Sequence, residues 1–448
     1  MQKYPTYKPS NIDWIGEIPS HWLNRKIAWS FSQIGSGTTP KSDTDVYYEN
    51  GTINWLLTGD LNDGEITETS KKITELAIKD NSTLKMYPKD SIVIAMYGAT
   101  IGKLGILKIE TTTNQACCVM AKSIFFHYKY VFYWLLSSRE SIINLGYGGG
   151  QPNINQDLVK SLRATQPPLT EQQSIVAYLD EKTALIDELM AKKESKIALL
   201  KEQRAALINQ AVTKGLDSTI PMKDSKIEWI GEVPKHWIKT KLKYNGFFIS
   251  GFSFDSNSFE SDGEIRVIKI SNVQNDGISW EDLSFVPTDF LTKYKDFEVK
   301  KGDLIFVLTR PIISTGIKVC FYNEDFLALL NQRNSIFRPK ESVIEKKLLY
   351  YLVRSFYFVE EFKLQLKETN QPNISTEQIS NINISLPPLS EQQAIVSYLD
   401  EQTALIDKTI EIEQQKISTL KEYRQSLISN VVTGKVKVSP VAPDGGAF

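Results

Sequence analysis

The 448-residue sequence is short of the residues from which most active sites are made, with three histidines and three cysteines. The cysteines (Cys117, Cys118, Cys320) are odd in number and lack metal-ligand spacing. They argue against a disulfide framework and fit a reduced, cytoplasmic compartment. No run of about 18 apolar residues occurs, so no membrane span is expected. The opening "MQKYPTYKPSNIDW" lacks the apolar stretch of a secretory signal. Neither sign of charge dominates: 52 basic and 53 acidic residues give a formal net charge of -1. That weighs against a protein that coats nucleic acid by bulk electrostatics, but leaves room for a reader with local basic residues or charged partner chains. Also missing are a Gly-x-Ser-x-Gly elbow, a P-loop and a GxGxxG fingerprint. The Asn/Asp-Pro-Pro-aromatic signature of amino-methyltransferases is absent too, because both Pro-Pro pairs precede leucine.

What is present occurs twice. "DWIGEIPSHW" at Asp13 returns as "EWIGEVPKHW" at Glu228, and "NDGEI" at Asn62 echoes "NDGIS" at Asn275. "KDSIVI" at Lys89 echoes "GDLIFV" at Gly302, Asn114-Gln115 echoes Asn331-Gln332, and "QPNIN" at Gln151 echoes "QPNIS" at Gln371. The strongest echo is "PPLTEQQSIVAYLDEKTALID" from Pro167 against "PPLSEQQAIVSYLDEQTALID" from Pro387, identical at 17 of 21 positions. The chain is therefore a tandem duplication of a unit long enough to hold its own core.

Each copy has two parts. The first alternates β-rich runs with Gly, Asn and Asp turns and then has one helical stretch, "YVFYWLLSSRESIINL" or "EKKLLYYLVRSFYFVEEFKLQL", which predicts an α+β domain. The second is one long helix. Thr170 with Gln173, and Ser390 with Gln393, have capping-box spacing. Beyond them Leu179, Ile186, Leu200 and Leu207 recur at multiples of seven, interrupted by Lys193; Leu399, Ile406, Leu420 and Leu427 repeat this, interrupted by Glu413. Met190 with Ile197, and Ile410 with Ile417, make a second row. Such heptads predict a coiled coil, and Gly215 and Gly434 supply helix stops. A single heptad helix needs a partner, and the other copy can provide it. The expected architecture is an α+β pseudo-two-fold tandem repeat, with two globular α/β domains separated by two long helices in an antiparallel coiled coil. Its boundaries are a domain at 1–165, a helix at 166–214, a domain at 215–385, a helix at 386–435 and a tail at 436–448.

The sequence offers two catalytic readings. His21 and His236 are repeat equivalents beside Trp22 and Trp237 and suit structural anchors; His127 has no counterpart. Asp289, Glu298 and Lys300 have the order of a metal-dependent nuclease motif, where two carboxylates hold magnesium and lysine assists an activated water. The first copy has nothing acidic at the matching place, "STLKMYPKD", which favours a plain outward-facing pair before a buried strand.

The polar residues around Gly-rich turns suit recognition better, since Asn and Gln can pair bidentately with adenine and Arg or Lys with guanine. In the first copy these are Tyr97, Thr100, Lys103, Asn114, Gln115, Tyr147, Gln151 and Asn153. In the second they are Arg310, Ser314, Thr315, Lys318, Asn331, Gln332, Arg333, Gln371 and Asn373. Asn114 and Asn331 fit buried amides that pin a turn equally well.

The doubled "PPLxEQxxIVxYLD…TALID", the endings "AVTKG" and "VVTGK", and "WIGEIPxHW" opening each half resemble the specificity subunit of Type I restriction–modification systems, over essentially the whole chain. The resemblance implies two target recognition domains that read the halves of a bipartite, asymmetric sequence in double-stranded DNA. It also implies an antiparallel coiled coil that sets the spacing and docks two modification subunits. Methyl transfer from S-adenosylmethionine would belong to those subunits, and ATP- and Mg-dependent translocation and cleavage to restriction subunits. This chain would then bind no cofactor and be no enzyme. The rival readings are the nuclease of Asp289, Glu298 and Lys300, and a coiled-coil scaffold that binds no DNA.

Overall fold

The computed structural model describes residues 2–146, 153–227, 229–275, 277–313, 316–366 and 372–439. The chain divides into two compact units, Met1–Lys193 with Gln415–Phe448, and Glu194–Gln414.

The first unit carries a five-stranded sheet in the order Phe31–Gly35, Cys117–Ser123, Ile92–Ala95, Leu104–Leu107, Gly64–Ile66. Its pairings are antiparallel except the last, where Gly64–Ile66 runs parallel to Leu104–Leu107. Ile92–Ala95 and Leu104–Leu107 are buried along their whole length, as their unbroken apolar runs require. One face packs on the helix Tyr128–Asn144 through Tyr130, Val131 and Trp134. A smaller sheet has Ile53–Leu56 at its centre, parallel to Thr112–Thr113 and antiparallel to Lys71–Ile73.

The second unit repeats this plan. Gly246–Ser250, Asn334–Pro339, Leu304–Val307 and Val319–Phe321 form an antiparallel sheet. In its smaller sheet Ile265–Ile268 lies parallel to Ala328–Leu330 and antiparallel to Phe285–Val286. Two differences stand out. "NDGEI" supplies the fifth strand of the first unit, whereas among the described residues its echo contributes an isolated bridge between Val273 and Ile278. The stretch read as one helix from Glu345 is two, Lys346–Val353 and Phe356–Leu364. Ser355 between them is extended (φ -67°, ψ 151°), and the Phe356 N–H donates to the side-chain oxygen of Asn209 at 2.7 Å. A bond to a neighbouring helix replaces the one that would have continued the turn.

Each domain closes on itself the same way. Its early strand pairs antiparallel with the last strand before the long helix: Leu23–Lys26 with Arg163–Gln166, and Ile238–Lys241 with Asn383–Leu386. The long helices then run over Leu169–Lys214 and Leu389–Val432, 46 and 44 residues, or about 69 and 66 Å at the usual rise. Past their ends Gly215 and Gly434 take left-handed backbone, φ +74° and +75°, the conformation that lets glycine end a helix.

Both units pack pieces of both long helices into their cores. In the first, Ile175, Leu179 and Ile186 share a core with Leu427, Ile428 and Val431, and Arg424 grips Asp187 by two bonds of 2.9 and 3.1 Å. In the second, Ile208 and Ala211 share a core with Ile395 and Leu399. There Arg204 grips Asp407 at 2.9 and 3.1 Å, and Lys196 meets Glu413 at 3.0 Å. Residue numbers rise along one helix as they fall along the other. Leu200, Leu207 and Leu420 are half-buried, and Ile406 is buried.

Candidate nucleic-acid interface

The long helices begin on a matched polar lock. Gln172 and Gln392 are buried. The Gln172 side-chain amide donates to the carbonyls of Phe125 and Pro167, both at 2.9 Å, and its oxygen accepts from the His127 N–H at 2.8 Å. Gln392 does the same with Val343, Pro387 and Glu345, at 3.0, 2.9 and 2.8 Å. The glutamate before each glutamine holds a histidine, Glu171 with His21 at 2.9 Å and Glu391 with His236 at 2.6 Å. Both histidines are thus tied to helix junctions. The capping boxes expected at Thr170/Gln173 and Ser390/Gln393 are displaced. Each helix starts two residues earlier than such a box requires, with the Gln172 and Gln392 N–H groups donating to Pro168 and Pro388 at 2.9 Å. Gln173 and Gln393 are left exposed, since the amide that fastens helix to domain is the one before.

At the ends of the central strands, the same backbone frame is built twice. Met96 N–H donates to Ala116 and Ile154 N–H to Met96; in the second unit Leu308 N–H donates to Arg333 and Ile374 N–H to Leu308, all at 2.8–3.0 Å. These bonds draw Tyr97, Asn114, Gln115 and Asn153 to one end of the first sheet, and Asn331, Gln332, Arg333 and Asn373 to the corresponding end of the second. Arg310 joins the latter group, its N–H donating to Pro372 at 2.8 Å with left-handed backbone at φ +50°. Lys318 is held nearby by its N–H to Pro311 at 2.7 Å. Thr100 and Lys103 form the turn after Ala95, closed by Lys103 N–H to Thr100 at 2.9 Å.

Two glycines that sequence reasoning passed over make these corners possible. A Cβ on Gly37 would lie 1.7 Å from the Thr113 carbonyl oxygen, and one on Gly251 would lie 2.1 Å from that of Asn331. The strand can pass the Asn-Gln turn only without a side chain. Their signal was the Ser-Gly pair at matched places, 36–37 and 250–251.

Within the corners the side chains divide by role. Asn114 accepts from Ala116 N–H at 3.1 Å and Asn331 from Gln332 N–H at 2.6 Å, so both carbonyl oxygens pin their own turns while their amino groups stay available. Gln115, Gln332, Arg310, Arg333, Lys103, Asn153 and Asn373 are exposed, and Tyr97, Thr100 and Lys318 half-buried. Thr39 donates to Gln115 at 2.7 Å. Burial raises the Tyr97 phenol above its ordinary range, with Cys117 adding to this and Gln115 opposing it, so the hydroxyl stays a donor. Tyr147, Gln151, Ser314, Thr315 and Gln371 lie outside the described residues.

The nuclease reading of Asp289, Glu298 and Lys300 gains no support. The neighbouring buried carboxylate, Asp303, is engaged by the Arg338 guanidinium at 2.8 and 2.6 Å and by the Lys300 N–H at 2.7 Å. Among the described residues no group of three His, Cys, Asp or Glu is placed to hold a metal ion, and no helix is long and apolar enough to cross a membrane.

Comparison with known proteins decides between the remaining readings. The model of the Type I restriction modification DNA specificity domain matches twice, over residues 19–199 and 234–422. The chain belongs to that family. Among curated relatives, this specificity subunit is similar to the Type I restriction enzyme MjaVIII specificity subunit of Methanocaldococcus jannaschii, 30% identical over 424 residues and covering 94% of each chain. It also resembles the EcoKI specificity subunit of Escherichia coli K12, at 22% identity over 94% of this chain and 90% of that one. Its fold matches a chain from a structure of complex assembly and conformational transition in the type I R-M system, with a TM-score of 0.71 at 16% identity over 94% and 99% of the two chains. The HsdS subunit from Thermoanaerobacter tengcongensis gives a TM-score of 0.54 at 16% identity over 94% and 98%. The specificity subunit therefore serves DNA target recognition, through two tandem mixed α/β domains.

Proposed function

We propose that each domain reads one half of a bipartite, asymmetric sequence in double-stranded DNA, with bases contacted from the two strand-end corners. The carrying observation is that one backbone frame presents Asn114 and Gln115 in the first unit and Asn331, Gln332 and Arg333 in the second. The Asn-Gln pair is shared, but the next position is a buried Ala116 in one unit and an exposed Arg333 in the other, a difference that suits two different half-sites. Tyr147, Gln151, Ser314, Thr315 and Gln371 belong to the same loops in sequence and join the proposal on that ground.

The long helices (within 166–214 and 386–435) are the spacer, an antiparallel coiled coil. The order of the pairs Lys196–Glu413 and Arg204–Asp407 supports this, as does the burial of Leu179, Ile186, Leu399, Ile406 and Leu427 along the seam. In each unit, leucines flanking the seam remain exposed: Leu185 and Leu189 in the first, Leu199 and Leu405 in the second. This outer face docks two modification subunits, and restriction subunits through them. Those partners supply S-adenosylmethionine, ATP and Mg chemistry in the cytoplasm, and this chain contributes no catalysis.

The test is a methylome map of cells expressing the chain with its modification subunit. A two-part methylated motif is expected. Arg333→Ala should relax one position of one half while the other half stays fixed, at a cost of about 1–3 kcal/mol in binding. An unchanged motif and affinity in that variant would remove the strand-end corner as the reading site.

A further inference from the structure

Away from the reading corners, each domain carries an exposed ring beside converging cations at one matched place. Trp29 is 66% exposed and Tyr244 61%. Each lies in a short 3-10 turn, Ile27–Trp29 or Leu242–Tyr244. The turns are tied to the closing strand by equivalent bonds, Ile27 N–H to Leu162 at 2.8 Å and Leu242 N–H to Ile382 at 3.0 Å.

The cations around these rings are set close together. Lys26 and Arg163 face each other directly across the antiparallel pair, an arrangement of like charges that disfavours the ladder. The Lys26 ammonium is 5.6 Å and the Arg163 guanidinium 6.0 Å from the centre of the Trp29 ring. In the second unit Lys241 and Lys243 both donate to the side-chain oxygen of Asn381, at 3.4 and 3.0 Å, and Lys243 lies 5.4 Å from the Tyr244 ring. Lys226, by contrast, is paired with Asp224 at 2.7 Å. Among the described residues, Lys26, Arg163, Lys241 and Lys243 have no such carboxylate.

We infer that both places hold a phosphate of the DNA backbone, each pair of cations bracketing the anion while the ring packs against the adjoining sugar. The inference rests on the DNA reading above and adds a contact that carries no sequence information. Phosphate fits because it relieves the like-charge opposition and needs charge more than shape. The chemistry recurs while the residues change, Trp with Lys and Arg in one unit and Tyr with two Lys in the other. A surface docking identical protein partners would be held to one shape, as the helix junctions are.

The experiment uses the complete complex with modification subunits. Lys26→Ala/Arg163→Ala, Lys241→Ala/Lys243→Ala and their combination are compared with wild type on a mixed-sequence duplex and on the mapped target duplex, across a range of salt. The log–log salt slope should fall by about one for each site removed. Affinity should drop severalfold on both duplexes alike, with the methylated sequence and the melting temperature unchanged. Unaltered slope and affinity would overturn the inference. So would loss of co-purifying modification subunits at unchanged slope, which would mark a protein contact, or a loss confined to the target duplex, which would mark base reading. A wild-type complex without sequence preference would instead remove the reading under Proposed function, and the mixed-sequence slopes would still decide this site.

Discussion

The helix junctions and the strand-end corners are both duplicated, yet they have diverged in opposite ways. At the junctions the side chains themselves are the bonds: Gln172 and Gln392 each satisfy three backbone groups, so a change of residue strands three partners at once. At the corners the main chain makes the bonds, through Met96, Ala116 and Ile154 or Leu308, Arg333 and Ile374. Apart from Asn114 and Asn331, whose oxygens pin their turns, side chains there can be exchanged without dismantling the frame. A structure held by its backbone is free to vary what it displays.

Substitutions can break that comparison, beginning with the largest effect. Trp22→Ala and Trp237→Ala each remove a fully buried indole and should cost about 3–5 kcal/mol, exposing amides of the mutated unit first in hydrogen exchange. Equal loss of protection in both units would show that they do not unfold independently. Gln172→Leu and Gln392→Leu should each cost about 2–3 kcal/mol in urea unfolding, from carbonyls and an N–H left without partners. Gln173→Ala should stay within about 0.5 kcal/mol; a larger loss would restore the capping box.

A subtler contrast lies in the indoles. Trp237 donates to Glu391 at 3.0 Å, whereas Trp22 Nε1 has no partner among the described residues. Trp237→Phe should therefore cost about 1 kcal/mol more than Trp22→Phe. The smallest effect is in pH. Burial, aided by Lys129, holds His127 below the ordinary histidine range, while the matching position is Glu345. A histidine kept neutral contributes stability above its unfolded pKa, which is lost as the pH falls below that. Acidification through that range should loosen the first unit more than the second, as read by hydrogen exchange, and His127→Gln should level them.

Much of the plan was legible in the sequence because repetition and periodicity are properties of order. The echo of Asn114-Gln115 in Asn331-Gln332 marks the corners. Features made by pairing distant, mostly polar segments were not legible. "LNRK" and "RATQ" show no apolar alternation, yet they close the first domain as paired strands. Gln172 and Gln173 are indistinguishable in sequence; one is buried only because the carbonyls of Phe125 and Pro167 come to lie beside it. The helix break at Ser355 depends on Asn209, nearly 150 residues away, and no local window contains it.

The composition of the first unit has a consequence for synthesis. Its core is completed by Leu427, Ile428, Val431 and Val432, from the segment that begins at Gln415, whereas the second unit is one unbroken stretch, Glu194–Gln414. On a ribosome, residue 193 precedes residue 415 by roughly ten to forty seconds at ordinary elongation rates. Throughout that wait Ile175, Leu179 and Ile186 are without the helix segment that covers them. The half that is made first finishes folding last, and a chaperone that shields an apolar helix face has its longest opportunity there.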